Sequence, residues 1–415
     1  IAGEIHGRGG LTLYSKLKLP DGFDRDMKLL LSSMATRRVV LGFLHVTRTI
    51  DFALLGFSPI TIGLLVSIAT FVSALHHLTF GLLSDRFGRK PFLLLGGFFA
   101  ALRMIIFALS TEFWLLALGQ GIGALGEGAG AGQPVVSGYI ADRTKSNQRA
   151  SVFSTLAVTN GITTTIGYLI AGLPAYLQES LGLNFIDAHS LLFWLGTATS
   201  ALSLLLILPI REAKPERGGE IRVKKDLFEV KSWDVIGRFS LVRSTSGLGW
   251  GLIDSLLPLY FFISFDVGSE TLGPIYAATR FLSIFSYLLI PRIVKRFGDM
   301  NTIIISRLLT AGLVAAFSMT STYHLAIALL IVFRTMILFT MPIRQSFATS
   351  IVRSEETATA IGISSSSRMA VRSIGPTLAG YMFETLILSF PFLSGAGLMA
   401  ANAILYHAFF RRRKK

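Results

Sequence analysis

Gly81-Leu-Leu-Ser-Asp-Arg-Phe-Gly-Arg-Lys90 is a short basic segment set between two long apolar stretches. A second segment, Pro291-Arg-Ile-Val-Lys-Arg-Phe-Gly-Asp-Met300, lines up with it at an offset of 210, and Gly63 falls on Gly273 at the same offset. Further on, Ile166-Gly-Tyr-Leu-Ile-Ala-Gly172 matches Ile374-Gly-Pro-Thr-Leu-Ala-Gly380 at an offset of 208. The chain therefore reads as two copies of one unit in the same orientation, an arrangement in which one half can rock against the other about a shared central site.

The 415 residues around these segments are 52% apolar and only 15% charged, with a net charge of +15 and no cysteine. Soluble domains carry about 25% charged residues. A basic nucleic-acid binder of this pI is richer in charge and poorer in Leu, Ile and Phe. The composition excludes a soluble enzyme, a disordered basic tail and a nucleic-acid partner. The missing cysteines exclude a disulfide framework, a thiolate zinc site and a thiol nucleophile.

A membrane helix needs about 20 mostly apolar residues. Twelve stretches qualify, near 32–55, 60–83, 91–110, 113–140, 150–174, 187–209, 235–262, 270–293, 302–320, 323–343, 357–384 and 388–410. The expected organisation is an N-terminal arm over 1–31, a six-helix bundle over 32–210, a polar linker over 211–234, a second bundle over 235–410 and a basic tail over 411–415. The arm lacks the long apolar run of a signal peptide. Short cytoplasmic loops collect Lys and Arg. With the N-terminus inside, 28 of the 39 basic residues fall on the cytoplasmic side, and the six opposite loops contain none. An odd error in the helix count would scramble that sorting. The expectation is an all-α, multi-pass cell-membrane protein with twelve transmembrane helices and both termini cytoplasmic.

The segment Gly81–Lys90 closely resembles the signature loop of the major facilitator superfamily, which implies that family's fold, transport by alternating access and no resident cofactor. Gly81 and Gly88 suit a crowded turn, and Asp85, Arg86 and Arg89 suit a charge latch that holds one conformation and slips in the other. Leu118-Gly-Gln-Gly-Ile-Gly123 resembles the family's helix-4 motif, but Ala117 stands where that motif usually has arginine. Gly167-Tyr-Leu-Ile-Ala-Gly172 lacks the proline typical of drug–proton antiporters. Gly121-Ile-Gly-Ala-Leu-Gly126 spells a dinucleotide fingerprint, yet it lies inside an apolar helix rather than after a strand, where glycines serve close helix packing.

Eleven basic residues remain within the spans, all arginine: Arg37, Arg38, Arg48, Arg103, Arg238, Arg243, Arg280, Arg307, Arg334, Arg368 and Arg372. Arg37 and Arg38 are expected to snorkel at the inner end of helix 1. Three carboxylates, Asp51, Glu127 and Asp254, lie deep; each intramembrane charge costs about 2.5–3.5 kcal/mol on insertion scales, so the arginine excess needs anionic partners or water. By the resemblance, helices 1, 4, 7 and 10 line the central cavity and helices 2, 5, 8 and 11 flank it. That places Arg48, Arg280, Arg334 and Arg368, with Gln133, as the substrate-binding set. Guanidinium forks suit carboxylate or phosphate, so the expected partner is a small organic anion. Glu127, Asp51 and Asp254 are the proton-coupling set, since a carboxylate at mid-membrane stays neutral unless a cation is near. His45, His76 and His77 read as packing or hydrogen-bonding residues, and no cluster has zinc-ligand spacing. The expected protein is a monomer in the lipid bilayer. Efflux of amphipathic compounds and a non-transporting receptor or scaffold are the alternative functions.

Overall fold

The computed structural model describes residues 23–126, 134–212, 232–287, 289–351 and 357–410. Among these every regular element is a helix, and the helices stack end to end into twelve rods. They are α1 (Arg25–Leu54), α2 (Pro59–Phe87), α3 (Arg89–Leu109), α4 (Phe113–Gly126 and Pro134–Arg143), α5 (Ser146–Ile170 and Leu173–Leu181) and α6 (Phe185–Ile207). The second six are α7 (Trp233–Asp254 and Leu257–Phe265), α8 (Ser269–Tyr287 and Ile290–Phe297), α9 (Asp299–Met319), α10 (Tyr323–Phe339 and Met341–Ser350), α11 (Thr357–Arg372 and Gly375–Thr385) and α12 (Phe390–Phe410). In α5, α7, α8, α10 and α11 the second piece restarts with a proline in its first two positions. Proline offers no N–H to the preceding turn, so the ladder breaks there and begins again.

Among the described residues, nine helices are long and apolar enough to cross a membrane. α8 falls short because it carries Arg280 and an internal Pro274, and α11 because it carries Ser364–Ser367, Arg368 and Arg372. Large apolar side chains such as Phe71, Leu205, Leu309 and Ile404 stay exposed along the rods, as a lipid-facing belt requires. The first rod starts at Arg25 rather than near 32, because the Asp24 carboxylate accepts from the Met27 N–H at 2.7 Å and caps its first turn.

The duplication is visible in the backbone. Gly88, between α2 and α3, has φ +96° and ψ 159°; Gly298, at the equivalent turn between α8 and α9, has φ +76° and ψ 162°. Both turns use a conformation closed to ordinary L-residues. Within the first half α1 packs on α5 and α3 on α6; within the second, α7 packs on α11 and α9 on α12. The halves meet along α2–α11 and α5–α8.

That meeting is tight at the face away from the basic turns. A Cβ on Gly63 would strike the Pro376 carbonyl, one on Gly380 the Pro59 carbonyl, and one on Gly273 the Tyr168 carbonyl. The Glu384 carboxylate accepts from the Ile60 N–H at 2.8 Å, and Ser67 Oγ lies 2.7 Å from Thr377 Oγ1. One apolar core, running from Phe43 and Phe52 through Tyr276 to Phe333 and Phe392, joins both halves here. At the basic face the cores separate: Met27, Tyr139 and Ile210 belong to one half, Phe239, Phe347 and Phe410 to the other. The molecule is sealed at one face and divided at the other.

Candidate transport site

Beneath the seal, α1, α2, α5, α7 and α11 enclose a cavity of about 250 Å³. Its polar lining centres on Asp254, the last residue of α7 before the rod breaks. The Arg334 guanidinium of α10 donates to Asp254 Oδ1 at 2.6 Å, Arg372 of α11 approaches Oδ2 at 3.6 Å, and His45 Nε2 of α1 lies 3.7 Å from Oδ1. Arg334 also lies over the Tyr276 ring, its Cζ 4.2 Å from the centroid. Tyr168 of α5 and Tyr276 of α8 are 5.6 Å apart, with the His45 ring against both at 6.0 and 5.5 Å. Six rods thus converge on one carboxylate, and His45 reaches it from the other half.

Such burial is tolerable because Asp254 is paired. An isolated carboxylate in low dielectric would neutralise, whereas hydrogen-bonded arginines favour its charged form. The other charged side chains in the described lining are arginines: Arg38 and Arg48 of α1 and Arg372 of α11 face the space. Arg48 donates to Gln120 Oε1 of α4 at 3.2 Å. The cavity therefore offers planar donor forks to an anion, with one carboxylate already engaged behind them.

The expected residues separate on this geometry. Arg48 lines the cavity and Arg334 stands behind it as the partner of Asp254. Arg280 lies in α8, its buried Nε unpartnered. Arg368 lines a second cavity inside the C-terminal half, while Arg372, one turn further, lines the central one. Asp51 is buried at the outer end of α1. Glu127 and Gln133 lie outside the described residues, as does the side chain of Asp85; Gly81 sits within α2.

Arg37 and Arg38 do not snorkel at the mouth. The early start at Arg25 puts them about 18 Å into the rod at 1.5 Å per residue. Arg37 is buried against Gly96 and donates to the Gly126 carbonyl, and Arg38 lines the cavity. Sequence reasoning also passed over His45, Tyr168 and Tyr276 as site residues. A signal for the tyrosines was present: Tyr168 lies inside the duplicated Ile166–Gly172 segment, and its carbonyl meets Gly273, a repeat-matched glycine.

The basic turn holds itself together within its own half. Arg89 Nε meets Asp142 Oδ2 of α4 at 3.2 Å, and its Nη1 donates to Ser84 Oγ at 2.8 Å. The Glu212 carboxylate accepts from the backbone N–H groups of Arg89 at 2.7 Å and of Lys90, capping the exposed start of α3. Arg86 is exposed, its Cζ 5.4 Å from the Phe87 ring centroid. Nearby, Arg143 bonds Asp26 and the Arg211 carbonyl, which ties the starts and ends of α1, α4 and α6. Among the described residues no group of three or more His, Cys, Asp or Glu is placed to hold a metal ion.

A multi-helix membrane protein with a polar cavity between two duplicated halves, open to only one face, is a transporter in class. Residues 29–376 match the model of the Major Facilitator Superfamily, and the chain belongs to that family. It is 32% identical to the inner membrane transport protein YajR of Escherichia coli over 165 residues, which cover 39% of this chain and about a third (34%) of that protein. It is 25% identical over 354 residues to the quinolone resistance protein NorA of Staphylococcus aureus, covering 85% of this chain and 88% of that one. The crystal structure of the nucleoside transporter NupG superposes with a TM-score of 0.73 at 16% identity, covering 94% of this chain and all of that one, and shares the fold. That family is one of membrane transporters rather than enzymes.

Proposed function

We propose that the protein moves a small organic anion across the cell membrane by alternating access, as a monomer with both termini cytoplasmic. The carrying observation is the charge of the central cavity: Arg38, Arg48 and Arg372 line it, and the one carboxylate that lines it among the described residues, Asp254, is bound by Arg334. Bidentate guanidinium–oxyanion bonds would replace water as cargo enters. Arg280 adds to the field from α8. Because His45 of one half meets Asp254 of the other, closing the basic face and opening the sealed one must pull this contact apart. That makes Asp254, with His45, the favoured point of proton coupling, alongside Asp51 and Glu127. The segment Gly81–Lys90 is the latch: Asp85 and Arg86 flank the turn, and Arg89 trades its bond to Asp142 as the halves move.

The test is uptake by proteoliposomes against a panel of dicarboxylates, aromatic carboxylates and phosphate esters, with and without a pH gradient. Arg48→Gln and Arg372→Gln should each raise the half-saturating concentration of the transported anion at least tenfold; unchanged values in both would sink the assignment. A second reading, efflux of amphipathic compounds, draws support from the likeness to NorA and from the aromatic wall of His45, Tyr168 and Tyr276. It predicts raised drug resistance in a sensitised host and little effect of Arg48→Gln.

A further inference from the structure

Inside the C-terminal half, separate from the central cavity, lies a second space of about 140 Å³ bounded by α7, α9, α10, α11 and α12. Four of these rods each contribute an arginine to its lining: Arg243, Arg307, Arg344 and Arg368. Arg307 is only 3% exposed, and its donors are poorly served. One Nη donates to Ser246 Oγ and the other to the thioether of Met399, both at 2.9 Å, and its Nε has no partner. A thioether is a weak acceptor, so a buried guanidinium aimed at one lacks an oxyanion. Arg344 spends its donors on the Thr340 and Ile337 carbonyls at 3.3 Å. Arg243 rests against the Phe239 ring, 5.6 Å from its centroid. Among the described residues no carboxylate lines the space. Asp254, the buried carboxylate nearest in α7, is engaged by Arg334 and Arg372.

We infer that this space is a second anion site, and that it takes a phosphate group. Four planar forks from four helices can satisfy a tetrahedral oxyanion on several sides at once, which a single carboxylate cannot match. The volume admits a phosphate and a short ester arm but not an amphipathic drug. Met341 and Gln345 are exposed at the rim, so a ligand can enter there. A phosphate in place would cross-link α7, α9, α10 and α11 and stiffen the half that carries Asp254. It can come from two sources: the headgroup of an anionic lipid or a soluble phosphate ester.

The experiment uses the full chain purified in detergent, with thermal unfolding followed by tryptophan fluorescence; Trp250, one of the four tryptophans, lines the space. Inorganic phosphate and glycerol 3-phosphate are compared with chloride at matched ionic strength, and phosphatidylglycerol with phosphatidylcholine in mixed micelles. A phosphate ligand should raise the unfolding midpoint saturably, and equally well in Arg48→Gln, which alters only the central cavity. The R243Q/R344Q pair should raise the half-maximal concentration at least tenfold, and R243K/R344K by less. The lysine pair, which keeps charge and bulk, decides the matter should the glutamine pair not purify. Saturable stabilisation by the soluble phosphates assigns the aqueous source, and stabilisation by phosphatidylglycerol alone assigns the lipid; either supports the site. No saturable shift with any of these, an equal shift in wild type and both pairs, or loss of the shift in Arg48→Gln alone overturns it.

Discussion

Replacing Asp254 by Asn keeps its shape and removes its charge, and the structure sets what that costs. At an effective dielectric of about 20, Coulomb's law gives roughly 6 kcal/mol for Arg334 at 2.6 Å and roughly 5 kcal/mol for Arg372 at 3.6 Å. Desolvation of three charges offsets much of this, several kcal/mol per ion. What the substitution exposes is Arg334, 7% exposed and left without a carboxylate, and breaking a buried pair on one side costs about 3–5 kcal/mol. For a chain of 415 residues, with unfolding entropy near 2.1 cal/mol/K per residue, that loss lowers the midpoint by about 3–6 °C. The measurement is thermal unfolding of the purified protein by intrinsic fluorescence, since a chain without cysteine gives no signal with thiol-reactive dyes. The double variant Asp254→Asn/Arg334→Gln should recover more than half of the lost stability, because it removes the stranded cation as well. A double variant as unstable as the sum of the two singles would refute the argument, showing that the pair is not the unit being broken.

Two further outcomes test the seal and the turn. Ser67→Cys/Thr377→Cys places two thiols where the native oxygens are 2.7 Å apart across the halves, on a background free of other cysteines; oxidation should stop transport and reduction restore it, and transport unaffected by the crosslink would mean that this face does not open. Gly88→Ala forces an L-residue to φ +96° and brings its Cβ to about 2.9 Å from the Glu212 carboxylate carbon, so a loss of about 1–2 kcal/mol is expected, read as a lower unfolding midpoint than the wild type.

The fold was legible wherever one dimension suffices. Twelve apolar runs, a sorted set of loop charges and glycines recurring at offsets of 208 and 210 fix twelve rods in two like halves, and the matched turns at Gly88 and Gly298 show the same duplication in φ and ψ. The site was legible only in kind. The sequence indicates an excess of deep arginines over carboxylates, but not which arginine faces Asp254, because that depends on how each rod is rotated about its axis. Arg368 and Arg372 are one turn apart on α11 yet line different cavities. Arg344 illustrates the same limit. The apolar run ends near 343, which reads as the start of a basic loop; the helix in fact restarts at Met341, and Arg344 turns back to the Ile337 and Thr340 carbonyls inside the bundle. A hydropathy profile registers such a residue as the end of a span, since it cannot distinguish water outside the membrane from a polar cavity within it.

The two halves also show why a duplicated scaffold does not duplicate its chemistry. Gly42 meets Gly167 in the first half as Gly251 meets Gly375 in the second, which sets α1 on α7 at an offset of 209. By that register Arg37 corresponds to Ser246, and by the offset of 210 Gly97 corresponds to Arg307. In the first half an arginine reaches from α1 toward Gly96 of α3, next to that position; in the second, an arginine reaches from α9 toward the small Ser246 of α7. The same internal space is filled by a guanidinium in both, supplied from opposite helices. The consequence is asymmetric. Arg37 points at α4 and finds the Gly126 carbonyl; Arg307 points toward α12 and finds Met399 sulfur. Arg37 thus finds a backbone carbonyl, while Arg307 meets a hydroxyl and a thioether and shares its space with three more arginines. A rocking mechanism needs only the shared packing. The cluster of four arginines around one space in the second half is a separate property, and it makes the C-terminal bundle, rather than the pseudo-symmetric axis, the place where a second anion would be felt.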